Sequence, residues 1–416
     1  MPKTISLAIL VLGTTLAGLL IGGESPATQP AGKPTTQPAN SAPRIVSIWG
    51  GAQTHMVMKS DGTVWTWGMN GMGQLGDGTT SNRCVPVQVV GPGGVGHLAP
   101  VSAIMGGEMH NFALKTDGTV WAWGNNMFGQ LGNGEDVKFS AVPVQVSNLS
   151  SIISIGGRGY HSLAVKSDGT VWAWGWNSKG ELGNGTAEKF SKVPLQVVGL
   201  TKPSVVSGGY QFSLALMPDG TVCQWGHGRA IGNSNAPVQI PEFSKVIAIS
   251  AGWDHALALK SDGTVWAWGV NKVGELGDGS TVNRATPVQV KNLNNIISVS
   301  AGDWHSTALR SDGTVWKWGR NESGQLGQGR ADKITDPHPV PLQVPGLSNV
   351  VMVSARDWHN LCVTKDGQAW VWGDNRSGCC GDFTGVNVLS PRLMPGLVPS
   401  AEKAPAQQQI NNQKSE

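Results

Sequence analysis

Five histidines occupy one repeated position, seven residues before the aspartate of a recurring Asp-Gly turn: His110, His161, His255, His305 and His359. A ring of imidazoles suggests metal binding. A coordination site, however, needs several donor atoms within about 4 Å of one point. One histidine per repeat is explained more simply by a hydrogen-bonded structural role. We therefore predict structural histidines and no metal site.

Motifs for catalysis and cofactor binding do not occur in the sequence. There is no Gly-x-Ser-x-Gly elbow, His-Glu-x-x-His pair or paired-carboxylate motif. Gly-rich segments such as GQLGDG (73–78) lack the Lys-Ser/Thr of a phosphate loop. The five cysteines form no Cys-x-x-Cys pair, and the net charge of +3 comes without a basic block. We predict a non-enzyme with no cofactor and no nucleic-acid partner.

The two residues before the repeated histidine position differ from repeat to repeat. In chain order they are Ala52-Gln53, Glu108-Met109, Gly159-Tyr160, Tyr210-Gln211, Trp253-Asp254, Asp303-Trp304 and Asp357-Trp358. Both tyrosines of the chain lie in these pairs, together with three tryptophans and four acidic residues. Because equivalent turns of a repeat protein gather at one end, the sequence predicts an aromatic and acidic surface there.

This surface is the candidate binding site. Tyr and Trp dominate the energetics of protein interfaces, and exposed aromatic patches usually have a partner. The predicted contact residues are Glu108, Met109, Tyr160, Tyr210, Trp253, Asp254, Asp303, Trp304, Asp357 and Trp358. A protein with a basic or mixed surface suits this composition. The alternative is that the aromatic rings fold over one another and plug a central channel.

The turns belong to a repeat of about fifty residues. The segment DGTVW recurs with its aspartate at 61, 117, 168, 219, 262 and 312, and once more as DGQAW at 366. Each unit contains four short apolar or alternating segments separated by turn signals, and no helical period. Such units predict four-stranded antiparallel meanders. Seven of them predict an all-β fold, a seven-bladed β-propeller.

Tryptophans support the same fold. Thirteen of the eighteen lie in a Trp-x-Trp element, or in its single-Trp remnant at Trp225, and two residues apart on a strand they point to one face. We predict that all thirteen are core residues wedged between blades. The last strand, PRLM (391–394), is a candidate latch that would pair beside the strands of the first unit and close the ring.

The ends of the chain differ from the repeats. Residues 1–23 combine Lys3 with an uncharged stretch from Ile5 to Ile21, the pattern of a signal peptide or N-terminal anchor. Residues 24–43 form a Pro/Thr/Gln-rich linker, residues 44–398 the propeller, and residues 399–416 a polar tail expected to be disordered. We expect an exported monomer in the periplasm, on the cell surface or outside the cell. Contact with a membrane is expected only if the N-terminal segment is uncleaved.

The repeat, quoted from AGWDHALALKSDGTVWAWGVNKVGELGDG (251–279), resembles that of the regulator of chromosome condensation family over residues 45 to about 397. The resemblance implies a seven-bladed propeller. Eukaryotic members include a guanine nucleotide exchange factor for a Ran-type small GTPase. Exported bacterial members include a propeller-type inhibitory protein of β-lactamases, which the present chain resembles in carrying an export signal.

Two units depart from the family pattern. The fourth has Cys223 in place of the first Trp and lacks the Gly-Gln-Leu-Gly loop, and the seventh has SGCCGD (377–382) in its place. The favoured function is an exported, non-catalytic protein-binding module. The alternatives are a nucleotide exchange factor for a small GTPase and a carbohydrate-binding surface, which also uses Trp and Asp.

Overall fold

The computed structural model describes residues 42–228 and 232–397, which form seven four-stranded antiparallel sheets arranged as the blades of a propeller. The strands are β1 (Ile45–Gly51), β2 (Thr54–Lys59), β3 (Val64–Gly68) and β4 (Arg83–Gln88) in blade 1; β5 (Val101–Gly106), β6 (His110–Lys115), β7 (Val120–Asn125) and β8 (Phe139–Gln145) in blade 2; β9 (Ile152–Arg158), β10 (His161–Lys166), β11 (Val171–Trp176) and β12 (Phe190–Gln196) in blade 3; and β13 (Val205–Gly208), β14 (Phe212–Leu216), β15 (Val222–Gly228) and β16 (Gly232–Gln239) in blade 4.

Blade 5 contains β17 (Val246–Ala251), β18 (His255–Lys260), β19 (Val265–Gly269) and β20 (Arg284–Gln289); blade 6 contains β21 (Ile296–Ala301), β22 (His305–Arg310), β23 (Val315–Gly319) and β24 (His338–Gln343); and blade 7 contains β25 (Val350–Arg356), β26 (His359–Thr364), β27 (Ala369–Gly373) and β28 (Val388–Leu393). One short 3-10 turn, Pro92–Gly94, follows blade 1. Among the described residues no helix has the length and apolar character needed to cross a bilayer. The all-β propeller predicted from the repeats is confirmed.

Each blade is a simple meander in chain order, and its first strand lines the central channel. Serine hydroxyls on these inner strands accept hydrogen bonds from the neighbouring blade: Ser207 Oγ from Ala251 N at 3.1 Å and Ser300 Oγ from Ala355 N at 2.9 Å. The channel narrows to a cavity of about 70 Å³ between the inner strands. The inner strands are therefore joined around the axis by polar contacts.

The second tryptophan of each Trp-x-Trp pair is the main core residue between blades. Trp67, Trp123, Trp174, Trp225, Trp268, Trp318 and Trp372 are fully buried. The first ring is only partly buried, so the prediction that all thirteen are core is wrong for these six. In five of the six the indole N–H donates to the threonine of the Asp-Gly-Thr turn, as Trp65 does to Thr63 Oγ1 at 3.1 Å. A lysine or arginine lies over the ring in four of them, as Lys59 does over Trp65.

The predicted latch is wrong. Strand β28, which contains most of PRLM, pairs with β27 inside blade 7 and with no strand of blade 1. The reason is that each sequence unit starts at the channel and already supplies all four strands of its blade. The ring closes instead through side chains: Trp67 Nε1 donates to Cys379 O at 2.9 Å, and Gly50 N donates to Ser354 Oγ at 2.9 Å.

Candidate functional site

The turns that join the first and second strands all lie at one end of the propeller, called here the turn end. Each turn is held by the glycine that follows the second tryptophan position of the Trp-x-Trp element. Gly269 has φ +109°, and a Cβ there would lie 2.3 Å from the carbonyl oxygen of Asp254. Val270 N then donates to the same oxygen at 2.9 Å. The Trp-x-Trp-Gly motif therefore fixes the turn that carries the candidate site.

Buried histidines support the turns from below. The Ser306 hydroxyl donates to the carbonyl of Glu275 at 2.8 Å and accepts from His255 Nε2 at 3.0 Å, which links blade 5 to blade 6. Burial lowers the pKa of His255 to about 3, so its ring is neutral. His110, His161 and His305 make the same contact with Ser162, Ser213 and Asn360. The predicted hydrogen-bonded structural role of these histidines is confirmed.

Five rings form a continuous row over blades 2 to 5, called here the aromatic row: Phe128, Tyr160, Trp176, Tyr210 and Trp253. Tyr210 and Trp253 are stacked, with ring centroids 3.7 Å apart and planes 10° apart. Tyr160 meets Tyr210 edge-on at 6.0 Å, and Phe128 meets Tyr160 at 5.3 Å and Trp176 at 4.3 Å. Burial, with help from Glu108 and Tyr210, raises the pKa of Tyr160 to about 12. The row therefore presents neutral, mutually fixed rings.

Trp358 lies outside this row, between two guanidinium groups. Arg320 and Arg376 each stack on its ring at 4.7 Å. Arg376 also pairs with Asp374 at 2.7 Å, and Arg320 pairs with Glu322. These two arginines come from the loops that follow the third strands of blades 6 and 7. They make the turn end less acidic than the sequence of the turns alone indicates.

A cluster of buried and partly buried charged groups surrounds the mouth of the channel: Glu108, Asp303, Asp357, Arg158 and Arg356. Arg158 crosses from blade 3 to donate to the carbonyls of Ala251 at 3.0 Å and Ala301 at 2.7 Å, and it pairs with Asp303.

Proton binding in this channel-mouth cluster is strongly perturbed. Burial, and then the charge of Asp303, raise the pKa of Glu108 to about 7 against the opposing effect of the arginines. Burial and the same acidic neighbours raise the pKa of Asp357 well above its usual range. Burial, followed by Arg158, lowers the pKa of Arg356 to about 9. The ionisation of each of these three groups therefore depends on charged neighbours from other blades.

All ten predicted contact residues lie at the turn end, although none is fully exposed. Asp303 is buried, with 6% of its surface accessible, and the others are partly buried. The rings and carboxylates pack against one another around the channel mouth, so the plugging alternative describes part of the arrangement. The rings of the aromatic row and the Trp358 ring nevertheless stay partly exposed. The assignment of these residues to partner binding stays a prediction.

Sequence reasoning missed four residues of this surface: Phe128, Trp176, Arg320 and Arg376. Each lies in or just before the loop between the third and fourth strands. In a meander that loop ends on the same side as the turn between the first and second strands, and Trp176 N donates to Tyr160 O at 2.9 Å. The signal was available, because these residues follow Trp-x-Trp-Gly by one to four positions.

Repeat, fold and turn geometry define a propeller of the kind built from regulator of chromosome condensation repeats. The family model described as the RCC1-like domain matches residues 186–410, and the RCC1 repeat model matches residues 61–114 and 117–165. The chain belongs to the RCC1-like family, whose fold is that of a protein-interaction scaffold.

Similar curated proteins share parts of this chain. The ultraviolet-B receptor UVR8 of Arabidopsis thaliana is 31% identical over 186 residues, which is 44% of this chain and 41% of the receptor. The human E3 ubiquitin-protein ligase HERC2 is 31% identical over 202 residues, 44% of this chain and 4% of the ligase. The matched regions thus span less than half of these relatives.

Solved structures show the likeness of the fold over most of the chain. Prp20p of Saccharomyces cerevisiae, described with its binding to Gsp1p and histones, superposes with a TM-score of 0.71 at 22% identity, over 82% of this chain and 88% of that one. Human WBSCR16 superposes with a TM-score of 0.69 at 21% identity, over 80% of this chain and 94% of that one. At these identities the likeness shows the fold alone.

Proposed function

We propose that this chain is an exported, non-catalytic binding module that holds a protein partner against the turn end. The observation that carries the proposal is the aromatic row, which runs unbroken across four blades and whose five rings are all partly exposed. Rings already fixed by stacking lose little conformational entropy when a partner covers them, and Tyr and Trp are the residues that most often dominate binding.

The charges of the turn end define the chemistry of the partner. Arg320 and Arg376 stack on Trp358, and Asp357 is one of the acidic groups that act on Arg376. A partner with a mixed surface complements such an arrangement, whereas the phosphate backbone of a nucleic acid does not. The yeast relative Prp20 is described in complex with the protein Kap60, which supports a protein partner for this fold.

Export is the part of the proposal that rests on residues 1–23, which lie outside the described residues. Its support is the charged start followed by an uncharged apolar stretch. The measurement is the N-terminal mass of the protein recovered from the envelope and medium of the producing cell. We expect the protein in those fractions. Recovery of the whole population from the cytoplasm would overturn the export proposal and leave the binding proposal untouched.

Partner binding is tested by affinity capture with two matched variants. Tyr210→Ala with Trp253→Ala removes the stacked centre of the aromatic row. Lys166→Ala removes one partner of a surface ion pair at the opposite end and leaves in place the hydrogen bonds that Asp168 accepts from Thr170. We expect a partner captured by the unmodified chain and the Lys166 variant, and at least tenfold less by the Tyr210 variant. Equal capture by all three contradicts the proposal, once circular dichroism shows that each is folded.

A nucleotide exchange factor is the second candidate function. Its support is the likeness of fold to Prp20p, whose structure is described with binding to Gsp1p. The discriminating measurement is release of labelled GDP from a captured GTPase, with and without the chain. Faster release of GDP at substoichiometric amounts of the chain favours a nucleotide exchange factor. An unchanged release rate, or a captured protein that binds no nucleotide, favours the simple binding module.

A further inference from the structure

The junction between blade 7 and blade 1 has a different chemistry from the other blade junctions. At the junction of blades 5 and 6, His255, Ser306 and Glu275 form the polar contact described above. The equivalent positions at the closing junction hold His359, His55 and Cys379. In blade 1 the repeated histidine position holds Thr54, and the next position, which is Ser306 in blade 6, holds His55. Two departures from the repeat therefore bring three metal-ligating side chains to one point.

The three side chains are fully buried and close together. One ligand atom from each of His55, His359 and Cys379 lies within 4.8 Å of the others. The two imidazole rings meet edge-on, with centroids 4.3 Å apart and planes 82° apart. The Cys379 thiol donates to the carbonyl of Asp374 at 2.9 Å, so its sulfur keeps free electron pairs. These are the donor types that late first-row transition metals prefer.

Unsatisfied nitrogen atoms are the independent sign that a ligand belongs here. Both ring nitrogens of His55 are buried without a hydrogen-bond partner in the described part of the chain, and so is Nδ1 of His359, an atom that is also unpaired in His161 and His305. The remaining nitrogen of His359 has only a long contact, 3.4 Å, to the carbonyl of Thr54. A buried imidazole with no partner costs free energy that the serine at other junctions avoids. A cation bound by these nitrogens would offset that cost.

We propose that His55, His359 and Cys379 form a metal site that binds monovalent copper and fastens blade 7 to blade 1. Binding breaks the S–H bond of Cys379, forms a metal–sulfur bond and releases one proton to solvent, with no change of oxidation state. Metal–ligand bonds of about 2.0–2.3 Å place ligand atoms roughly 3.3–3.9 Å apart, so the side chains move inward by about 1 Å.

Charge balance favours Cu⁺ over Zn²⁺. The thiolate neutralises a monovalent ion, and two neutral imidazoles complete a three-coordinate set. A divalent ion with the same ligands would leave a net positive charge in a site shielded from water, which is costly. Soft thiolate and imidazole ligands also suit Cu⁺. The site would supply a cross-link at the one junction of the ring where neighbouring blades are not consecutive in the chain.

The site is tested by anaerobic titration of the reduced full chain with Cu⁺ against a competing chelator, and separately with Zn²⁺. Two variants restore residues found at other junctions and should fold: His55→Ser and Cys379→Gln. Cys362→Ala removes another buried thiol outside the cluster and is the matched control.

We expect one equivalent of Cu⁺, a near-ultraviolet thiolate-to-metal band and a rise in Tm for the unmodified chain and the Cys362 variant. Affinity should fall at least a hundredfold in the other two variants. Absence of stoichiometric Cu⁺ binding by the unmodified chain, or equal binding by His55→Ser, would overturn the proposal. Stoichiometric binding of Zn²⁺ without Cu⁺ would contradict the assignment of the ion.

Discussion

At the scale of single residues, one loop position differs in ionisation between otherwise equivalent blades. Gln74, Gln130 and Gln325 each accept a hydrogen bond from the backbone N–H two residues earlier. Glu181 and Glu275 make the same contact in blades 3 and 5, and each leaves one carboxylate oxygen buried without a partner. Burial raises the pKa of both glutamates to about 7.

This difference predicts that Glu275→Gln stabilises the protein at alkaline pH. The unfolded carboxyl ionises near its usual pKa of 4.5, whereas the folded one holds its proton to about 7. Stability is therefore lost as the pH rises from 4.5 to 7, by about 3 kcal/mol at pH 8. Thermal unfolding should show a higher Tm for the variant at pH 8 and little change at pH 4. An equal shift in Tm at pH 4 and pH 8 would contradict the ionisation argument.

The residue types predicted where the candidate site lies in the fold better than they predicted which residues its side chains contact. The turn pairs and the repeated histidines could be placed at one end because equivalent positions of a repeat must coincide. The path of the Arg158 side chain across the channel could not be predicted, because its partners Ala301 and Asp303 lie about 145 residues away in the sequence and three blades further round the ring. Contacts of that kind depend on how the ring closes, which no local pattern encodes.

At the scale of the element, blade 4 shows how an irregular unit is accommodated. At the other blade junctions, the indole N–H of the buried tryptophan donates to a carbonyl in the Gly-rich loop of the preceding blade, as Trp318 does to Glu275 O at 2.7 Å. Blade 4 lacks that loop. Trp268 donates instead to the side-chain oxygen of Gln224 at 2.9 Å. A buried glutamine on the third strand thus replaces the missing loop carbonyl.

A double-mutant cycle tests this replacement. Gln224→Ala leaves the Trp268 N–H buried and unpaired, and we expect a loss of about 1–3 kcal/mol in the free energy of unfolding. In the background of Trp268→Phe, which has no N–H to satisfy, the same change should cost clearly less. Denaturant unfolding of the four proteins gives the coupling energy. Additive effects would show that Gln224 acts by filling space and not through its hydrogen bond.

The strands themselves were predictable because four alternating segments and an Asp-Gly turn recur in nearly every unit. The way in which the ring closes was not predictable, for a topological reason. Both a shared strand and a self-contained blade are compatible with the same repeat, and only the position of the first strand at the channel distinguishes them. The sequence identified the fourth and seventh units as irregular, but the compensating role of Gln224 and the exceptional setting of Cys379 are recognised only when their neighbours across the blade junction are known.

At the scale of the whole molecule, the two ends of the propeller differ in character. The Asp-Gly turns form an end with balanced surface ion pairs, such as Lys115 with Asp117 and Arg310 with Asp312, in which the aspartate is exposed and the cation partly exposed. Such pairs contribute little to stability or affinity. The turn end concentrates the aromatic row, the Trp358 stack and the buried charges at the channel mouth. This polarity is the basis for assigning partner binding to one end only.

The most direct test of that assignment is a photo-crosslinking comparison of the two ends in the cell that produces the protein. A photoreactive phenylalanine derivative is placed at Tyr210, within the aromatic row, or at Lys166, on the opposite end. The account predicts a discrete covalent adduct with a protein partner from position 210 and none from position 166. An adduct formed from position 166, with none from position 210, would contradict it.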